Sequence, residues 1–386
     1  MAVALAMSLS AVGGAANAAV PGPDVCELAE GELSVQDLPA GSSVILCDAI
    51  GRTVTHDGTG VTVPEPGMTV SVDMLTADGE AHGFTLEVGT DGKVAYDLGD
   101  GVVDTSTDGY DRPGSSNPDP ASDIPAEPDT VVDPADTAEG TEVADVDAAA
   151  APSACSDGAY STADRKEYGT YNWYVGDGGM PGGLSRTDAK WAFMDAINNI
   201  TDSYNNCGYG DTVGAKQNYL STTSREASVN SKGQCTGRDD LSVWDAGDLK
   251  SSAVATTCTY TWSMPGVKND LREADVRFNT HDYDFTNKPT SSCSNKYDIR
   301  SVGTHEAGHI FGLGHVGSGH SNLTMYTNSF TCKTIARTLG KGDVLASAAS
   351  IRRTHEPVGA NDASASGDSH AAAGCGLHIG EQQRWR

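Results

Sequence analysis

The chain has 386 residues and a formal net charge of −28, enough length for two folded domains with linkers and an acidic excess that repels nucleic acid and anionic membrane. The charge is unevenly placed. Arg52 and Lys93 are the only bases between residues 19 and 110, whereas acids and bases nearly balance beyond 155.

In chain order, residues 1–18 combine an apolar stretch (Ala2-Val3-Ala4-Leu5-Ala6-Met7) with the small-residue pattern Ala16-Asn17-Ala18, which reads as a secretory signal peptide. The usual basic start is missing, since no Lys or Arg precedes Arg52. Export is the expectation, and no later run of about 18 apolar residues offers a transmembrane segment. Residues 19–104 read as a small all-β domain, a sandwich or open barrel. Its β-prone runs are Val44–Leu46, Val61–Val63, Thr69–Val72, Phe84–Val88 and Val94–Tyr96. Asp57-Gly58, Pro66-Gly67, Asp78-Gly79 and Asp91-Gly92 mark the turns between them.

Residues 105–154 shift to Pro, Asp, Ala, Glu and Thr with no apolar period, the composition of an extended, self-repelling linker. The stretch 155–348 is the expected globular core. Thr170–Val175 predicts a strand. Ser185 and Asp188 form a capping box that opens a helix whose Phe193, Ile197, Ile200 and Tyr204 share one face. Ala274, Val276 and Phe278 alternate with Asp275, Arg277 and Asn279, predicting a half-buried strand. The fold class is therefore α+β, and 349–386 reads as a poorly ordered tail.

Nine cysteines fit an oxidising compartment. Cys26 and Cys47 have only each other within the first domain. Cys155, Cys207, Cys235, Cys258, Cys293 and Cys332 suggest three more bridges of undetermined connectivity, leaving Cys375 unpaired.

The chemistry concentrates in His305-Glu306-Ala307-Gly308-His309-Ile310-Phe311-Gly312-Leu313-Gly314-His315. In a helix, residues i and i+4 lie about 40° apart around the axis, so His305 and His309 aim two imidazoles at one point. Such a pair suits tetrahedral zinc, and Glu306, beside the metal but off the ligand line, is placed as general base. Gly312 permits the sharp turn that returns His315 as third ligand, which leaves the fourth position open, the pattern of a catalytic site. Chance produces this spacing in roughly a few of 10⁵ such chains, so three unrelated surface histidines are a poor explanation.

The motif resembles the metzincin zinc metalloprotease signature, and Met325 in Leu323-Thr324-Met325-Tyr326 resembles that clan's Met-turn, a loop beneath the zinc. The adjacent Tyr326 is similar to the matrixin (matrix metalloproteinase-like) branch. Thr327 stands where the astacin and serralysin branches have a metal-binding Tyr. The resemblance implies a metzincin-like catalytic domain, a twisted mixed sheet plus an active-site helix, after the small all-β domain. It implies one catalytic Zn2+ and leaves room for structural Ca2+, for which no acidic loop here is diagnostic, Asp282 and Asp284 included. It also implies a protein or peptide substrate and a secreted monomeric endopeptidase. Glu273–Asn279 resembles the matrixin edge strand along which substrate lies extended. Thr338–Leu345 resembles the final helix, and Tyr326–Phe330 would help shape the pocket after the scissile bond. The Pro-Arg-Cys-Gly switch of matrixin propeptides is absent. Other histidines, His320 among them, are read as exposed or without ligand spacing. Two further readings stand beside this one: an extracellular binding protein whose β-rich domain recognises a surface or matrix ligand while its zinc module is vestigial, and an amidase. Residues 19–150 are also open to a role as a removable prosegment.

Overall fold

The computed structural model describes residues 26–99 and 151–351, except 212 and 251. The expected signal peptide, most of the expected linker, the tail beyond residue 351 and Cys375 lie outside these residues. The first segment carries β1 (Leu33–Ser34), β2 (Thr53–His56), β3 (Thr59–Thr62), β4 (Met68–Thr76), β5 (His82–Val88) and β6 (Val94–Asp97). The second carries β7 (Ser161–Thr162), β8 (Arg165–Lys166), β9 (Thr170–Val175), α1 (Arg186–Thr201), β10 (Lys216–Thr222), β11 (Gln234–Cys235), β12 (Val243–Gly247), β13 (Ala253–Trp262) and β14 (Asn269–Asn279). There follow β15 (Asp284–Thr286), β16 (Lys296–Asp298), α2 (Ile299–Ile310), β17 (Leu313–Gly314) and α3 (Lys341–Ile351). Mixed sheets with three α-helices among the described residues make this an α+β molecule.

The main sheet runs β10-β9-β12-β14-β13-β4-β5-β6, with β8 pairing on β14. From β10 to β14 the neighbours are parallel; β13 reverses direction, and β4, β5 and β6 continue antiparallel. The two segments are thus woven into one sheet. A smaller sheet does the same, since β11 adds to β3 in the order β1-β2-β3-β11. The physical reason is apolar burial. Val70, Val72 and Met74 of β4 share a core with Val229, Val243, Ala253 and Tyr260, so the N-terminal strands complete a core that neither segment fills alone.

Local sequence accounts for the elements that frame the site. In β9 the odd positions Tyr171, Trp173 and Val175 are buried while Thr170 and Asn172 are exposed, the period of a strand with one face on the core. Ser185 caps α1 by accepting from Asp188 N, and Phe193, Ile197 and Ile200 face inward against Trp244 and Phe278. Asp298 caps α2 in the same manner through Ser301 N at 2.9 Å. Gly303 lets the helices approach, for a Cβ there would stand 2.9 Å from that of Ala196.

Two expectations change. Val44-Ile45-Leu46 forms turns, not a strand, with Ile45 and Leu46 exposed and the chain folded back on itself by Cys47 N donating to Ser43 O. The 273–279 strand, expected half-buried and at an edge, is the interior strand β14, flanked by β12 and β13 and buried on both faces. Its polar residues are buried because other strands satisfy them. Arg277 pairs with Asp245 of β12 at 2.9 Å, and Asp275 accepts from Val243 N at 2.9 Å.

The disulfides are Cys26–Cys47, Cys155–Cys207, Cys235–Cys258 and Cys293–Cys332. The first pair is the one expected, and the next six cysteines form three bridges. No helix among the described residues is long and apolar enough to cross a membrane.

Candidate metal centre

α2 presents His305 and His309 one turn apart, both buried, and the chain then leaves the helix at Gly312 with φ +86°. That left-handed conformation turns Leu313–Gly314 into β17, which pairs with β7 and brings His315 back over the helix. The three Nε2 atoms converge, each 3.1 Å from the other two. On the outer side of the rings, His305 Nδ1 faces Thr324 O at 2.8 Å and His309 Nδ1 faces Leu313 O at 3.1 Å. A carbonyl only accepts, so both Nδ1 atoms carry the proton and both Nε2 lone pairs point inward.

Burial holds these rings neutral. It lowers the pKa of His305 to about 4 and those of His309 and His315 well below the ordinary value, with the mutual repulsion of the rings adding to it for the latter two. Three neutral nitrogens with converging lone pairs fit a cation. A tetrahedral zinc with bonds of about 2.0–2.1 Å holds its nitrogens about 3.3 Å apart, close to the observed spacing.

Glu306 is fully buried beside this point. Thr257 of β13 donates its hydroxyl to Oε2 at 2.6 Å, while Oε1 has no protein partner. Burial raises the Glu306 pKa to about 8, against the Thr257 hydrogen bond that favours the charged form. The Met325 side chain lies beneath the helix, so close that a Cβ on Gly308 would collide with its Sδ. The turn carrying it is tied down by Asp343, which accepts from Thr324 N at 2.9 Å, Met325 N at 3.1 Å and Gly340 N at 2.8 Å. Because Thr324 O also orients His305, Asp343 acts on His305 through one peptide unit.

The structure therefore brings His305, Glu306, His309, His315 and Met325 together. Tyr326 turns instead to stack on Phe330, its ring centroid 6.0 Å away. His320, read as exposed, is paired with Asp157 at 2.9 Å and is only 13% exposed. Asp248, His281 and Asp282 form a second group of possible metal-binding side chains, but all three are exposed.

Sequence reasoning missed Thr257, Arg165 and Asp343. Arg165 donates from Nε to His309 O at 2.6 Å and from Nη2 to Asp73 at 2.7 Å. Each acts on residues far away in the chain, and no local spacing announces such a partner. Asp343 alone left a trace, as an acid in the first turn of a helix. No protein-family model and no curated protein matches the chain.

Proposed function

We propose that the protein is a zinc-dependent endopeptidase of the metzincin type, nearest the matrixin branch, acting outside the cytosol on protein or peptide substrates. The observation that supports it is the convergence of His305, His309 and His315 beside a buried carboxyl with one unpartnered oxygen.

Bound there, zinc supplies Lewis acidity, which acidifies water and polarises an amide carbonyl. The chain supplies the rest. The three imidazoles would hold the ion, and Thr324 O and Leu313 O fix the tautomers of two of them. Glu306 takes the proton of the attacking water and delivers it to the leaving amine nitrogen. Thr257 positions this base through Oε2 and leaves Oε1 for the water. Met325 and Asp343 hold the floor without entering the chemistry. Four disulfides suit an oxidising compartment.

The binding-protein reading lacks support of this kind, since β4–β6 are strands of the same sheet that packs against the helix of the zinc motif. The deciding experiment uses the full chain, lightly nicked by an added protease that is then inhibited, with Glu306→Gln treated identically. One zinc per chain in both proteins, with casein hydrolysis confined to the wild type, is the expected result. Equal hydrolysis by the two proteins, or failure of the wild type to bind zinc, overturns the proposal.

A further inference from the structure

The small sheet β1-β2-β3-β11 has two faces of opposite character. On its inner face Leu33, Val54, Val61 and Cys235 are buried in a core shared with Val72, Cys258 and Tyr260. Cys258 and Thr257 are successive residues of β13 and so point to opposite sides of the main sheet. Thr257 points to Glu306, which puts the small sheet on the side away from the histidines. The outer face carries Ser34, Thr55, Gly60 and Gln234, which stand in one row across the four strands. The β2–β3 hairpin at Asp57-Gly58, together with Lys232 and Lys250, raises walls beside this row and makes a groove of about 610 Å³.

Two glycines make room for its polar side chains. A Cβ on Gly60 would stand 3.0 Å from Gln234 Cγ and Nε2, and one on Gly58 would collide with Lys250 Nζ. Among the described residues, no Leu, Ile, Val, Met, Phe, Tyr or Trp lines the groove. Sites for lipids, aromatic cofactors and apolar peptides are lined mainly by apolar carbon, so this one suits a ligand that is polar on every side. Thr55 donates its hydroxyl to Leu33 O at 2.9 Å and Thr59 donates its own to His56 O at 3.0 Å. Their hydrogens are used within the sheet, and their lone pairs remain as acceptors. The carboxylates are answered, Glu32 by Lys232 at 2.7 Å and Asp57 by His82 at 2.9 Å. Lys250 is left without such a partner among the described residues, in a chain whose net charge is −28.

We infer that this groove binds an acidic oligosaccharide. Its hydroxyls donate to Thr55, Thr59 and the amide of Gln36, and its carboxylate or sulfate pairs with Lys250. The overall negative charge disfavours loose adsorption of a polyanion, so binding reads the groove itself. The ligand sits on the far side of the main sheet from the histidines, and the inference stands whether or not the chain is an endopeptidase.

The test titrates the full chain calorimetrically with three hexasaccharides. One is a galacturonic acid oligomer with carboxylates, one a carrageenan fragment with sulfate and no carboxylate, and one a neutral galactose oligomer. At least one acidic hexasaccharide is expected to bind with a Kd of about 1 mM or tighter, and about tenfold tighter than the neutral one. The tighter of the two acidic ligands identifies the group that Lys250 takes. Lys250→Met is expected to weaken the acidic ligand by about tenfold and so to erase the preference. Gln36→Ala, on an exposed side chain outside every strand, is expected to weaken acidic and neutral ligands alike by about fivefold. Zinc content and casein hydrolysis should be the same in both variants as in the wild type. Absence of binding by either acidic hexasaccharide at about 10 mM, equal affinity for the neutral one, or an unchanged Kd in Lys250→Met overturns the inference. Should Lys250→Met fail to fold, the comparison of acidic with neutral ligand and the Gln36→Ala titration decide it.

Discussion

Gly312 shows how one residue sets the centre. Its φ of +86° is where an L side chain is strained, and a Cβ there would collide with Arg165 O, a backbone atom with no freedom to swing away. The left-handed conformation costs a non-glycine residue about 1–2 kcal/mol, and overpacking adds about 1–3 kcal/mol. Gly312→Ala is therefore expected to lower stability by roughly 3 kcal/mol and to reduce zinc content, because the turn it spoils delivers His315. Urea unfolding and metal analysis on one preparation check both, and a variant with wild-type midpoint and one zinc refutes the account. Glu273 and Asp275 make a different residue-scale case. Both lie on β14, and burial, reinforced by repulsion from neighbouring carboxylates, pushes both pKa values up, that of Glu273 to about 7. The folded state then binds protons more tightly than the unfolded one. Its stability falls as pH rises from the ordinary carboxylate range of about 4 through the raised folded values, and the contribution is whole only below that window. Glu273→Gln is expected to flatten the fall, by about 1.4 kcal/mol for every pH unit over which the folded and unfolded proteins had differed by one proton. Parallel slopes for the two proteins between about pH 5 and 8 would contradict it.

At the scale of elements, Leu323–Met325 lies in the long connection between α2 and α3. The first turn of α3 contributes Asp343, whose carboxylate gathers three backbone N–H groups and so fixes the loop under the histidines. Asp343→Ala strands those three donors in the interior, and each buried donor left unmade costs about 1–3 kcal/mol. A loss of about 3 kcal/mol or more is expected, together with weaker zinc binding, because Thr324 O no longer holds His305 in one tautomer and orientation. Asp343→Asn keeps an acceptor and should recover part of each. Zinc titration against a competing chelator separates the effects. Unchanged affinity in Asp343→Ala confines this residue to stability and removes it from the support of the metal.

For the whole molecule, what was legible in the sequence is what local spacing encodes. The i, i+4 histidines, the Gly312 turn and the strands bounded by Asp-Gly and Pro-Gly all depend on neighbours a few residues away. Strand order does not. The pairing of β4 with β13 joins Val72 to Cys258, and nothing in either strand names the other, so the chain read as two bodies where the structure has one sheet. β14 misled for a related reason, since Asp275 and Arg277 look like a solvent face until Val243 and Asp245 arrive from β12. The histidine motif was readable because its geometry lies in one helix and one turn. Without metal, the folded protein holds three imidazole nitrogens close together, two of the rings buried, an arrangement the unfolded chain does not share. A cation that binds only the folded state stabilises it by about 4 kcal/mol at a thousandfold excess over Kd, a rise in melting temperature of about 10 °C for a unit this size. Stripping zinc should lower the melting temperature by that amount and restoring it should reverse the loss. Glu306→Gln should show the full shift, because its side chain is not a ligand, and His309→Ala should show little. A melting temperature indifferent to zinc in the wild type means that the three histidines are not holding it, and the proposed chemistry then has no metal to act through.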